Sequence, residues 1–149
     1  MPADQEIYEL IPHRPPFLWV DRITASSQDT IVTEKLIPVD LDICTGHYPG
    51  HPILPGVLLC EAVFQTGALL MAKMKDSGSL PVDNTLPVLA RITNARFKRP
   101  VFPGDLITME VRLTEILSSV CFFSGKLRVH DKLALQVDFS CTLQPVITG

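Results

Sequence analysis

The chain predicts an α+β domain in which an antiparallel sheet of about six strands wraps one long central helix. Two stretches carry that expectation. Residues 57 to 75 contain no proline and are apolar on nearly every helical face. The last third alternates apolar and polar residues with period two, the pattern of an antiparallel meander with one buried face. A helix apolar all round is either buried or membrane-spanning, and a single such helix can be enclosed by a curved sheet.

The elements follow in order. Ile11-Pro12-His13-Arg14-Pro15-Pro16 holds three prolines, which fix φ and remove donors, so an ordered loop is expected. A strand is expected over Phe17 to Ala25 and a second over about Thr30 to Pro38, separated by the polar turn Ser26-Ser27-Gln28-Asp29. In the helix, Glu61, Gln65 and Thr66 interrupt the apolar surface, and Lys73, Lys75 and Gly78 end it. These interruptions favour a core helix over a membrane span. Ser77 to Asn84 reads as a polar loop, and Val88 to Phe97 as a strand. Ile107, Met109, Val111 and Leu113 then alternate with Thr108, Glu110, Arg112 and Thr114. Val120 to Val129 alternates less cleanly, and Leu133 to Leu143 alternates again, with turns at Leu117-Ser118-Ser119 and His130-Asp131-Lys132. One domain over 1–149 is expected, with its core at about 11–143.

The 149 residues are 46% hydrophobic and 19% charged, enough apolar surface for a real core. A net charge of -3 gives no reason to expect nucleic acid or an anionic membrane as partner. Locally, Arg91, Arg96, Lys98 and Arg99 form a basic cluster that would suit an acidic partner or simply be a solvated strand end. The first residues, Met1-Pro2-Ala3-Asp4-Gln5-Glu6, show no signal-peptide pattern. Cys44, Cys60, Cys121 and Cys141 have no CxxC spacing, so reduced, buried thiols in a cytoplasmic protein are expected. No metal site is expected: the histidines are dispersed, and Pro49 and Pro52 forbid the helix that would align His47 with His51.

The chemistry concentrates in Gly46-His47-Tyr48-Pro49-Gly50-His51-Pro52-Ile53-Leu54-Pro55-Gly56-Val57, followed by Glu61 and Gln65. A histidine on a stiffened turn and a carboxylate on an apolar helix supply a base and an acid. The first backbone N–H groups of the helix, near Gly56 and Val57, have no intrahelical partner and can donate to a developing oxyanion. Together these suit removal of a proton next to a carbonyl with loss of a group one carbon further on. A lone loop histidine is more often structural. Gln65, one turn from Glu61, could serve catalysis or satisfy core backbone groups. His51 is expected to fix the turn, His13 and Arg14 to anchor their loop, and His130 to be solvated.

Three ordered motifs resemble the 3-hydroxyacyl-acyl carrier protein dehydratases of the FabZ type. They are Pro12-His13-Arg14-Pro15-Pro16-Phe17-Leu18 with Val20-Asp21-Arg22, Gly46 to Val57 with Glu61-Ala62 and Gln65, and Ala95-Arg96-Phe97-Lys98-Arg99-Pro100-Val101 with Pro103-Gly104-Asp105. The resemblance implies the hotdog fold and dehydration of a (3R)-3-hydroxyacyl-acyl carrier protein to the trans-2-enoyl form, in fatty acid biosynthesis or a related acyl pathway. It puts the catalytic histidine at His47, the helix carboxylate at Glu61 and the carbonyl-binding amide at Gly56, with Val57 and Gln65 beside the substrate. It implies no metal or redox cofactor, because the substrate arrives on the phosphopantetheine of acyl carrier protein, which Arg91, Arg96, Lys98 and Arg99 could receive. It also implies a homodimer with shared sites, His47 of one subunit facing Glu61 of the other, and a trimer of dimers as a larger assembly. A glutamate rather than an aspartate at 61 favours plain dehydration over dehydration with isomerisation. Pro87-Val88-Leu89-Ala90-Arg91-Ile92 lacks the family's usual aromatic residues and glycine, so Arg91 could narrow the acyl tunnel or contact a polar substrate. Tyr48 stands where phenylalanine is commoner. A hotdog thioesterase and a non-catalytic acyl-binding protein are the alternatives.

Overall fold

The structure is a computed structural model that describes residues 2–80 and 85–146. Its elements are α1 (Gln5–Leu10), β1 (Arg22–Ser26), β2 (Thr30–Leu36), α2 (Asp42–Thr45), α3 (Gly56–Asp76), β3 (Thr85–Phe97), β4 (Leu106–Leu117), β5 (Val120–Val129) and β6 (Lys132–Pro145). The six strands form one sheet in the order β1-β2-β4-β5-β6-β3, antiparallel throughout. α3 packs against β2, β3, β4, β5 and β6, which only a sheet curved around the helix permits. This is the hotdog arrangement.

α3 runs 21 residues, about 31 Å at the helical rise of about 1.5 Å per residue. Leu59, Val63, Leu69 and Leu70 are buried and meet the inward residues Met109, Val111, Phe123, Leu135, Val137 and Phe139, also buried. Close approach depends on Gly67, where a Cβ would sit 2.8 Å from Cζ of Phe139. Lys73 and Lys75 lie in the last turn, the favourable end for cations. Gly78 takes the left-handed conformation (φ +79) that closes the helix. Residues 81–84 of the loop expected over Ser77 to Asn84 lie outside the described residues.

Two short helices escape the sequence pattern. α1 is six residues long and buries only Ile7, too short for a periodic signal. It is tied to α3 by a Glu6–Lys73 ion pair of 3.0 Å. α2 is a single turn that buries Cys44 just before the histidine segment. The first strand is also shorter than expected, beginning at Arg22 rather than Phe17. The reason is chemical: backbone groups of Phe17 and Trp19 bond to a helix side chain instead of to a neighbouring strand. Asp21 then turns the chain into the sheet. It is buried, and its carboxylate accepts from Leu36 N (2.8 Å) and Lys35 Nζ (3.1 Å).

The β5–β6 turn has His130 and Asp131 both at positive φ (52° and 61°), the two-residue geometry that matches strand twist. All four cysteines are buried free thiols. Burial raises each thiol above its ordinary range, and Cys141 is pushed up to about 12, with Cys121 and Glu61 adding to the effect.

Candidate active site

Glu61 stands one turn inside α3, partly buried, and is held by Gln65 one turn later. Gln65 Nε2 donates to Glu61 Oε2 at 2.9 Å and to the Phe17 carbonyl at 2.8 Å, while Trp19 N donates to Gln65 Oε1 at 2.7 Å. The Trp19 amide can only donate, so it fixes which end of the Gln65 amide is oxygen. Both N–H groups of Gln65 are therefore used. Gln65 is 1% exposed, and it satisfies backbone groups and clamps the carboxylate at once. It has no N–H left over to hold a water.

His47 follows α2 on the Pro/Gly turn. Its Nδ1 lies 2.9 Å from the Ile53 carbonyl. A carbonyl only accepts, so in the neutral ring the hydrogen is assigned to Nδ1, leaving the lone pair on Nε2. The turn is held by His51 N donating to Tyr48 O (2.8 Å) and by Leu54 N donating to Val101 O (2.9 Å). Tyr48 is itself at φ 56 and its ring lies 4.6 Å from the His47 ring. Among the described residues, no hydrogen bond or ion pair joins His47 to Glu61 within the subunit.

Gly56 opens α3 directly after Pro55. A Cβ there would lie 2.8 Å from Cε1 of Phe97, so the glycine admits the Phe97 ring close to the helix N-terminus. Val57, next in line, is 75% exposed in the single chain.

His13 is the residue that sequence reasoning set aside. Arg14 is the loop anchor: its guanidinium donates to the carbonyls of Ile11 (2.8 Å), His13 (2.7 Å) and Tyr8 (2.9 Å). His13 instead turns inward, with Nε2 at 3.9 Å from Glu61 Oε2. Burial holds it below the ordinary imidazole range; the Glu61 carboxylate opposes that shift and Arg14 reinforces it. No spacing in the chain signals this contact, because the fold alone brings the loop to the helix. His13 also lines an apolar cleft of about 340 Å³ with Met71, Leu80, Leu86, Val88 and Leu143, and Lys75 at its border.

The remaining sequence candidates separate. Val88 lines that cleft, but Arg91 does not narrow it. Arg91 lies in a groove with Arg112, Thr93, Ser124 and Asp138, on the face opposite the inward residues Val111 and Val137. Lys98 and Arg99 line another groove with Phe102, His130 and Lys132, so the hairpin turn enlarges the basic surface beyond the cluster read from sequence. His130 is exposed as expected and lies 3.4 Å from Asp105.

Residues 11–138 match the FabA-like domain family. The chain belongs to that family. Within it, the chain is 42% identical over 136 residues to the 3-hydroxyacyl-[acyl-carrier-protein] dehydratase FabZ of Caulobacter sp. (strain K31), covering 91% of this chain and 82% of that one. It is 38% identical over 142 residues to the same-named enzyme of Paracidovorax citrulli, covering 95% and 96%. Among solved structures, the dehydratase heterocomplex ApeI:P from Xenorhabdus doucetiae superimposes with a TM-score of 0.77 at 14% identity over 94% of this chain and 91% of that one. A hypothetical thioesterase from Streptococcus pneumoniae gives 0.64 at 9% identity, covering 85% and 88%. At those identities the structural matches speak for the fold alone. The FabZ-type relatives and the three sequence motifs agree on the branch of the FabA-like family to which this member belongs.

Proposed function

We propose that this FabA-like protein dehydrates (3R)-3-hydroxyacyl groups carried as thioesters on acyl carrier protein, giving the trans-2-enoyl thioester in fatty acid biosynthesis. The observation that carries the reading is the Ile53 carbonyl on His47 Nδ1, which leaves Nε2 as a base. The thioester carbonyl is to accept from Gly56 N–H at the start of α3, where the helix dipole favours the developing negative charge. His47 Nε2 takes the C2 proton, the electron pair forms the C2–C3 double bond, and the C3–O bond breaks. Glu61 gives its proton to the departing hydroxyl, which leaves as water. No electrons are gained or lost and every proton has a named carrier, so the reaction as written needs neither metal nor redox cofactor. The apolar cleft beside His13 offers room for the acyl tail, and Val88 in its wall leaves that room unscreened by an aromatic ring.

The same reading makes the protein a homodimer whose sites are shared. β3 is a 13-residue strand on the sheet's edge, and Leu86, Val88, Leu89, Ile92 and Phe97 on it are all at least 40% exposed. A long apolar edge of this kind is a template for pairing with another chain. Pairing of two β3 strands would cover it, and His47 of one subunit would then face Glu61 of the other. Lys98, Arg99 and Lys132 are assigned to the acidic carrier protein, and the setting to the cytoplasm.

Incubation with a 3-hydroxyacyl-carrier protein decides between dehydration and the thioesterase reading. Enoyl thioester formation, lost in His47→Ala and Glu61→Ala, is the expected result. Release of free thiol without enoyl formation would overturn the assignment.

A further inference from the structure

His13 has a nitrogen with nothing to do. Its Nδ1 is sealed from solvent with no hydrogen-bond partner among the described residues, while Nε2 lies 3.9 Å from Glu61 Oε2. An orphaned buried N–H is rarer than an orphaned lone pair. The hydrogen of the neutral ring is therefore assigned to Nε2, facing Glu61, and the bare lone pair to Nδ1. Burial, which disfavours the charged ring, agrees with a neutral imidazole.

Two donors thus converge on one oxygen of Glu61: Gln65 Nε2 at 2.9 Å and His13 Nε2 at 3.9 Å. The first cannot rotate away, since the Phe17 carbonyl and the Trp19 amide hold it. The second is longer than a hydrogen bond; catalytic contacts are often long before the substrate complex forms and tighten in it. An oxygen that accepts from both cannot also carry a proton toward them. We propose that His13 is a positioning residue that, with Gln65, keeps Glu61 Oε2 as an acceptor and so confines the transferable proton of the carboxyl to Oε1. This rests on the dehydratase reading for its consequence, though not for its geometry. The same ring stands at the wall of the apolar cleft, so acyl-chain entry and acid orientation meet at one side chain.

Two readouts on the intact protein test this. In the wild type, ¹⁵N NMR of the imidazoles should show His13 neutral with its hydrogen on Nε2, and Glu61→Ala should move that signal. A hydrogen on Nδ1, or a His13 signal indifferent to Glu61→Ala, overturns the proposal whether or not the protein proves to be a dehydratase. In the kinetic arm, His13→Leu should lower kcat by about 10- to 100-fold, the usual cost of a misaligned reacting group, with KM changed by less than about twofold. His13→Gln, which restores a donor, should recover most of kcat. Unchanged kcat in His13→Leu, or equal losses in both variants with equal falls in Tm, would show a structural role only. Absence of dehydration in the folded wild type would refute the activity and leave the NMR result to decide the contact.

Discussion

Replacing Gln65 by leucine tests the clamp on Glu61 most directly. The side chains are similar in bulk, so the substitution removes hydrogen bonds without opening a large cavity. Trp19 N–H, in a residue only 3% exposed, loses its acceptor; an orphaned buried group costs about 1–3 kcal/mol. Phe17 is half exposed, so water can serve its carbonyl. That bond and the one to Glu61 then cost only their net value, about 0.5–1.5 kcal/mol each. Leucine returns about 1 kcal/mol by apolar burial. The balance is a loss of about 1–5 kcal/mol. At roughly 2–4 °C per kcal/mol for a chain of this size, Tm should fall by roughly 2–20 °C. The measurement is thermal unfolding at one fixed protein concentration, because the proposed dimerisation would contribute to Tm. Gln65→Glu should behave differently: it keeps an acceptor for Trp19 N but sets oxygen against oxygen at Phe17 and Glu61, so its deficit should shrink as the pH is lowered. A Tm for Gln65→Leu within about 2 °C of wild type would refute the account, since it implies that the Trp19 amide was never dependent on Gln65.

Three further outcomes are expected. Mixing inactive His47→Ala and Glu61→Ala proteins under conditions that exchange subunits should restore about a quarter of wild-type activity, because half the dimers are mixed and each rebuilds one of two sites; no recovery despite proven exchange would place both residues in one subunit's site. Lys98→Glu with Arg99→Glu should raise KM for the carrier-borne substrate in a salt-dependent way and leave a carrier-free pantetheine thioester unaffected, as rates on both substrates would show. Native thiols should resist alkylation at pH 8 and all react on unfolding, since burial keeps them protonated and Cys141 is pushed up to about 12. The sign follows: from about pH 9 the unfolded chain sheds thiol protons that folded Cys141 retains until about 12, so stability falls as pH rises through that window. Cys141→Val should flatten that alkaline loss in a Tm-against-pH series.

The sequence made the architecture legible where periodicity was strong. α3 was expected over 57–75 and runs from Gly56 to Asp76, because no proline interrupts it and lysines mark its end. The meander from Leu106 to Pro145 follows from alternation alone. Legibility fails where side chains replace backbone pairing. Phe17 to Val20 looks like strand, yet Gln65 takes the bonds that a neighbouring strand would have used. His47 and Glu61 could be picked out as candidates by residue type and setting. His13 could not, because its meaning lies in a contact between a proline loop and a helix far along the chain. The basic cluster misled in the opposite direction: Arg91 is close to Lys98 in sequence, but the two line different grooves.

The three motifs acquire a common explanation once their contacts are compared. The sheet offers the helix few polar partners: its inward residues are mostly apolar, and its buried Thr33 bonds to Thr66 rather than to Glu61. The proline loop supplies what the sheet lacks. Phe17 and Trp19 offer a carbonyl and an amide to Gln65, Gln65 grips Glu61, and His13 approaches the same oxygen. The third motif does the equivalent for the histidine turn: Val101 O accepts from Leu54 N, and the Phe97 ring rests on Gly56. Each flanking motif therefore braces one half of the proposed chemistry, the first Glu61 as its acid and the last His47 as its base with Gly56 as its carbonyl-binding amide. Because the proposed acid and base are braced by different segments and share no hydrogen bond or ion pair among the described residues of one chain, the proposed dimer assigns their alignment to whatever joins two such surfaces. The exposed edge of β3, which ends at Phe97 beside the helix N-terminus, is placed to do that.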